Sequence, residues 1–408
     1  MPESSDSAQK GTTMLRSKVG SGPAPNAHSP FRVTHAARRR AGRGYSGRGP
    51  MTVAKPPRGE RSLPAHNTGS VSARRATRHV SVKDVAARSG VSFQTTSKVL
   101  NGGGSVSEVT RARILQAASD LGYVPNLQAR SLVMQRTQTV GVITSDFSDH
   151  NLGRFIVGAE QEARRQGYSV VMTSIEPEGS GTEYALPAMM ERRVDGILLA
   201  APQMEQDEAL AHVLDRSLPV VSLHDVPGGG VSTVGSDDEL IGLLATHHLV
   251  ERGHRAIATV IGERGRGITE SRLRGYRRAL EDAGLRFDAE LVEEGGWQIA
   301  AAASATMRLF ERRGDISAVF AQSDTMAVGV LSALRQLHKQ VPADCAVVGC
   351  DDIDMAPHTV PPLTTIHVPF YETGAEAMRL LLTMITTGSV SPSKVVLPVH
   401  LIVRASSG

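Results

Sequence analysis

The sequence predicts a small all-α helix-turn-helix head followed by an α/β core of two parallel-sheet subdomains. Three observations carry that expectation. The run SVKDVAARSGVSFQTTSKVLN, Ser81 to Asn101, has the spacing of two short helices joined by a tight turn. From Thr139 onward the apolar period changes, and strand-like runs alternate with helical patterns. Charge divides in the same place: residues 1–78 carry 15 Lys/Arg against 3 Asp/Glu, residues 79–136 carry 7 against 3, and the remainder carries 23 against 35. A basic beginning and an acidic remainder point to a polyanionic partner for the first part only.

Composition narrows the class. A chain of 408 residues that is 40% hydrophobic can bury two or three packed domains. Cys345 and Cys350 are the only cysteines, too few for a disulfide-built secreted protein and compatible with a reducing cytosol. The AVV that separates them suggests a buried strand. No run of eighteen apolar residues exists and the N-terminus lacks an apolar leader core, so no membrane span or secretory signal is expected. Residues 1–78, rich in Ser, Gly, Pro and Arg, are expected to be a disordered basic tail. Met51 is a candidate later start.

The head is assigned to residues 79–124. Ser81 is placed to cap the first helix and Ser92 the second, with Gly90 at the turn. Val85, Ala86, Val99 and Leu100 form the apolar sides, which leaves Phe93, Gln94, Thr95, Ser97 and Lys98 outward. Ser107 caps a third helix with a stripe of Ile114, Leu115, Ala118 and Leu121, and Gly122 ends it. Residues 125–137, containing LQARSLVMQR, suit a small amphipathic hinge helix or linker.

The core is assigned to residues 138–408. Its strand candidates are VGVITS, SVVMTS, DGILLAA, PVVSLHD, AIATVIG, ELVEEG, AVFAQSD and CAVVGCDD. Helices are expected near 152–166, 183–193, 271–283, 299–313 and 325–338. Repeated βα units of this kind build parallel sheets, and ligands bind beyond the carboxyl ends of their strands.

Many of these runs are shared, in order, with one family. VSVKDVAARSGVS, KVLN, ARILQAASDLGYVPN, VDGILL, HLVERGHRAIA, RLRGYRRAL, SDTMAVG, VVGCDD and PPLTTIHVPF together resemble the lactose-repressor (LacI/GalR) family, from about Val80 to Arg404. SFQTTSKVLN and PPLTTI look closest to the family's namesake. The resemblance implies a cytoplasmic, nucleoid-associated homodimer with DNA-binding heads, a hinge helix and a periplasmic-binding-protein-like effector core. It also implies subdomains of about 138–238 plus 368–397 and about 239–367 plus 398–408. The sequence has no leucine-heptad tail, so a dimer rather than a tetramer is expected.

Phe93 and Gln94 begin the second helix, the end that meets base edges in this motif. Gln94 can contact adenine in a bidentate manner, and Phe93 can meet a thymine methyl. Thr95 and Ser97 suit phosphate or base contacts, and Ser92 is more simply a cap. Lys98 stands where the family usually has arginine, keeping the charge but losing the planar fork. Asn101 matches a residue used at the DNA backbone. Leu132 matches the leucine that wedges into the minor groove, and Ala129 is small enough to permit that approach.

Arg272 corresponds to the family arginine that grips effector hydroxyls or carboxylate, read here as an unpaired guanidinium at a cleft mouth. Trp297, the only tryptophan, offers a flat platform for a sugar's C–H face. Asp351 matches an aspartate that accepts from hydroxyls, and Phe370 an aromatic at the pocket floor. Ser323 stands where asparagine is common; His224 or Asp225 fills another acidic position; Asp146 and His150 line the opposite subdomain. Arg272, Trp297, Asp351 and Phe370 favour a galactoside-like sugar over a purine.

The run GERGRG from Gly262 has the wrong glycine spacing for a dinucleotide loop, and His247-His248 has no further ligand at zinc spacing. No catalytic constellation stands out, so neither a cofactor, a metal nor an enzyme activity is expected. The functional expectation is a repressor of carbohydrate-utilisation genes that binds double-stranded operator DNA and a small sugar. The alternatives are a sugar-binding receptor without DNA function and, less favoured, an NAD-linked sugar enzyme.

Overall fold

A computed structural model describes residues 80–124, 136–145, 150–175, 181–206, 218–226, 230–388 and 391–408. The basic tail, the hinge residues Ala129 and Leu132, and Asp146 lie outside the described residues.

The head contains α1 (Val82–Ser89), α2 (Phe93–Leu100) and α3 (Glu108–Asp120). Ser81 closes a capping box: its hydroxyl accepts from Asp84 N, and its own N–H donates to the Asp84 carboxylate at 2.8 Å. Gly90 ends α1 at φ 65°, a left-handed turn that a side chain would strain. Ser92 and Ser107 cap the next two helices, as their positions predicted. Val85, Val99, Ile114, Ala117 and Ala118 make the small core. Leu115, expected in the apolar stripe, is instead half exposed, and Ala117 takes its place. The three-helix packing turns the Ile114–Ala117–Ala118 face inward, about one residue round from the predicted stripe.

The core holds two six-stranded sheets. The first runs β11-β5-β4-β3-β1-β2, all parallel, from β1 (Thr139–Thr144), β2 (Ser169–Ser174), β3 (Gly196–Ala200), β4 (Val220–Ser222), β5 (Ser232–Ser236) and β11 (Lys394–Leu397). The second runs β12-β10-β9-β8-β6-β7, from β6 (Ile257–Ile261), β7 (Val292–Glu294), β8 (Ala318–Ala321), β9 (Ala346–Asp351), β10 (Thr364–His367) and β12 (His400–Ile402). Only β12 is antiparallel to its neighbour. The chain passes from one sheet to the other at Asp237, at Val368-Pro369 and at Pro398, so neither subdomain is a continuous stretch. Cys345 and Cys350 are buried at and in β9, the setting their flanking residues suggested.

Each subdomain is braced by a pair of helices crossing at glycine. In the first, α4 (His150–Arg165) meets α10 (Phe370–Thr387), with Gly158 against Tyr371 O and Gly374 against Phe155 O. In the second, α6 (Asp238–Glu251) meets α7 (Gly267–Asp282), with Gly242 against Arg272 O and Gly275 against Glu239 O. A Cβ at any of these glycines would run into the facing helix's backbone. Among the described residues the other α-helices of the core are α5 (Gly181–Glu191), α8 (Ile299–Arg312) and α9 (Asp324–Gln336). The helix expected near 271–283 starts four residues earlier, at Gly267, and Arg272 therefore sits well inside it at the glycine crossing.

Candidate functional site

The head presents the polar surface that its spacing predicted. Thr96 and Val99 face inward, while Ser92, Phe93, Gln94, Lys98 and Asn101 are exposed and Thr95 and Ser97 are partly so. Ser92 Oγ accepts from Thr95 N at 3.3 Å and donates to Thr95 Oγ1 at 2.9 Å, so the cap fixes the helix start beneath Phe93 and Gln94. Phe93 is 50% exposed, an expensive position for an aromatic ring unless it contacts something else. Asn101 N donates back to Ser97 O and closes the helix.

In the core, the carboxyl ends of the two sheets face each other across a cleft, and polar contacts bridge it on both flanks. On one flank Asn151 Nδ2, from α4, donates to Asp351 Oδ2 at the end of β9, at 2.8 Å. Arg154 lies 3.6 Å from Asp354 beside it. On the other flank Glu205, in the turn Pro202–Gln206 after β3, reaches the start of α7: its Oε2 accepts from Gly267 N at 2.9 Å. Glu205 Oε1 is 3.0 Å from His224 Nδ1. Burial raises the Glu205 pKa, but His224, the Gly267 N–H and Arg266 outweigh it, so the group stays below the ordinary carboxylate range.

Among the described residues, two cavities line the cleft. The larger, about 550 Å³, is lined by His224 and Asp225, by Gly265 and Gly267 of the GERGRG run, and by Asp238 and Arg274. The smaller, about 170 Å³, is lined by His150, Asp351 and Phe370. The structure thus brings three expected effector residues together in one cavity and two in the other. Arg272, Trp297 and Ser323 line neither.

Arg272 departs most from expectation. It is 2% exposed and paired, not an open guanidinium at a cleft mouth. Its Nε donates to Asp238 Oδ1 at 2.9 Å, and its Nη1 donates to the carbonyl of Gln322. Burial disfavours the charge, yet the neighbouring Cys350, Asp238 and Asp351 more than restore it, so its pKa stays above the ordinary arginine value. The cause of the burial is the α6–α7 crossing, which holds the Arg272 backbone against Gly242 and next to the first turn of α6. Through Asp238, Arg272 is bonded to a wall of the larger cavity.

Trp297 is half-buried, packs on the core of the second subdomain and lies flat over Gly262, where a Cβ would strike its ring. Ser323 is 6% exposed, and its hydroxyl accepts from Met326 N at 3.1 Å as the cap of α9. Capping α9 accounts for Ser323 in this arrangement. Asp351, whose carboxylate accepts from Asn151, adopts φ 119°, a strained backbone for a residue with a side chain. Its neighbour Asp324 is buried, and burial together with the Asp351 charge pushes its pKa well up. Thr365 Oγ1 and Ile353 N donate to it.

Sequence reasoning missed Glu205, Asp238 and Gln322. Gln322 ties the site together: its Oε1 accepts from Gly262 N at 3.2 Å and its Nε2 donates to Thr269 O at 3.1 Å. It lies one residue before Ser323, at the end of the strand candidate AVFAQSD. Asp238 reads as an ordinary acid in the first turn of a helix, and nothing in the chain order links it to Arg272.

Comparison with known proteins agrees with this arrangement. The family described as "Bacterial regulatory proteins, lacI family" matches residues 81–126, and "Periplasmic binding protein-like domain" matches residues 246–407. The HTH-type transcriptional regulator CelR of Thermobifida fusca is 37% identical over 342 residues, covering 81% of this chain and 98% of its own length. A solved complex of CelR with cellobiose is similar at TM-score 0.62 and 35% identity, over 80% of this chain and 100% of that one. A Lac repressor dimer bound to operator and the anti-inducer ONPF is similar at TM-score 0.74 and 29% identity, over 81% of this chain and 99% of that one.

Proposed function

Because this chain belongs to the lacI family of bacterial regulatory proteins, we propose that it represses carbohydrate-utilisation genes and leaves its operator when a sugar enters the core cleft. It is a DNA-binding transcriptional regulator and not an enzyme. The observation that carries the reading is the union, in one chain, of a capped and outward-facing recognition helix with a two-sheet cleft. A sugar receptor without DNA function has no use for the first of these.

In this reading Phe93, Gln94 and Lys98 address base edges, while Ser92, Thr95, Ser97 and Asn101 secure the DNA backbone. Ala129 and Leu132 belong to a hinge that wedges into the minor groove. Two copies pair, as in the Lac repressor dimer, so that twin heads meet a pseudo-palindromic site. The regulator works in the cytoplasm at the nucleoid. Asp351, Phe370 and His150 with Asp146, and His224 with Asp225, meet the sugar, with Arg272 and Trp297 completing the site as the cleft rearranges. The residue types favour a galactoside-like sugar; cellobiose, bound by CelR, is the next choice. A sugar that prefers one subdomain arrangement shifts operator affinity by the coupling energy between the two sites.

The test is a gel shift with DNA from the chain's own upstream region, with and without galactosides and cellobiose. A specific shift abolished by a sugar is expected. Absence of any sequence-specific shift sinks the DNA reading, and a shift indifferent to every sugar sinks the effector reading.

A further inference from the structure

Asp238 is the first residue of α6, immediately after the chain crosses from one sheet to the other at Asp237. Its carboxylate, 27% exposed, holds Arg272 Nε at 2.9 Å and also forms wall of the larger cavity. The buried Arg272 is therefore already paired with a carboxylate of the cavity wall. Asp351 stands in the wall of the smaller cavity. The linings add to the imbalance: five carboxylates against one Arg and one Lys in the larger cavity, four against one Arg in the smaller.

This charge balance discriminates among ligands. A phosphate or carboxylate approaching Arg272 must displace Asp238 or lie beside it, and like charges in a partly desolvated site repel strongly. A hydroxyl needs neither, because it can donate to Asp238 and accept from the guanidinium at once. Resting on the reading of the cleft as a sugar site, we propose that Asp238, by neutralising Arg272, makes the cleft select uncharged sugars and reject phosphorylated or carboxylated ones. Asp238 is thus a specificity determinant of the effector.

The experiment is calorimetric titration of the full-length protein with neutral sugars (cellobiose, lactose, galactose, glucose) and with cellobiose 6′-phosphate, glucose 6-phosphate and gluconate. The wild type is expected to bind a neutral sugar at least about tenfold more tightly than its anionic counterpart. Asp238→Asn, and Asp238→Ser should the first variant not fold, is expected to narrow that ratio by about tenfold, chiefly by improving the anion. Equal or tighter binding of the anion by the wild type overturns the proposal. So does a wild-type preference for the neutral sugar that survives unchanged in a folded variant, although the sugar reading then stands. Binding of no sugar of either class removes the sugar reading and this inference with it.

Discussion

Arg272 shows what a single residue's surroundings decide. A guanidinium tied to Asp238 and to Gln322 O is a structural brace as well as a candidate ligand contact. Arg272→Ala is accordingly expected to abolish the sugar response and to destabilise the core by roughly 3–5 kcal/mol, because it strands the partners of a buried pair. Operator binding by the head, which shares no packing cluster with Arg272, should survive. Gel shifts below the melting temperature, together with thermal melts, check both halves; loss of operator binding in folded protein contradicts that separation. His248 and His254 give a pH signature of their own. Burial lowers both below the ordinary histidine pKa, with Arg252 adding to the effect at His248, whose Nε2 lies 2.8 Å from Ser407 Oγ. Their neutral forms are favoured by folding. That stability is present above the unfolded value of about 6.5 and is lost as pH falls through the lowered folded values. The melting temperature should therefore drop between neutral pH and about pH 5. His248→Asn should flatten part of the drop, and an unaltered pH profile contradicts the assignment. Glu205 and Asp352, held low by their partners, act in a separate and more acidic window.

At the level of elements, the two glycine crossings are the devices that give the core its dimensions. Gly242 and Gly275 let α6 and α7 touch backbone to backbone, and that contact is what carries Arg272 to Asp238. Gly275→Ala is expected to cost about 1–3 kcal/mol as an overpacked contact and to weaken sugar binding by displacing α7. Denaturant unfolding paired with sugar titration measures the two effects; a neutral substitution would show that the crossing yields more easily than its geometry indicates. The elements that sequence reasoning named were those with long apolar or amphipathic runs, such as AIATVIG and CAVVGCDD. Helices α6 and α10 and strands β5 (STVGS), β10 (TTIH), β11 (KVVL) and β12 (HLI) are not among them; the four strands are only three to five residues long, and β5 and β10 are rich in Ser and Thr, which carry no hydrophobic period. The outer partner of β5 is β11, some 160 residues further along the chain.

Over the whole molecule, the two subdomains are held together by three chain crossings and by polar contacts on either flank of the cleft. Glu205 is the most connected of the latter, since its carboxylate joins His224 of one subdomain to the first N–H of α7 in the other. Charge-assisted bonds of this kind contribute about 1.5–3 kcal/mol. Glu205→Gln should therefore shift the core toward a more open arrangement, seen as a larger radius of gyration by small-angle scattering in the absence of sugar. An unchanged radius would mean that the Asn151–Asp351 flank alone sets the closure.

The order of residues by itself determined the fold class, the head with its serine caps, and the exposed row from Phe93 to Lys98, because those features rest on local periodicity and capping. It also marked most of the loops that meet at the cleft. Folding in three dimensions settled the rest. Arg272 became a buried, neutralised cation rather than an open one, Ser323 a helix cap, and Glu205 a bridge between subdomains. Arg272 and Glu205 each depend on a partner on another element, 34 residues away for Asp238 and 62 for the Glu205–Gly267 contact, whereas the Ser323 cap is a local contact with Met326 N. Local spacing carries no information about such partners; the twist of the sheets and the close approach of glycine-lined helices supply it.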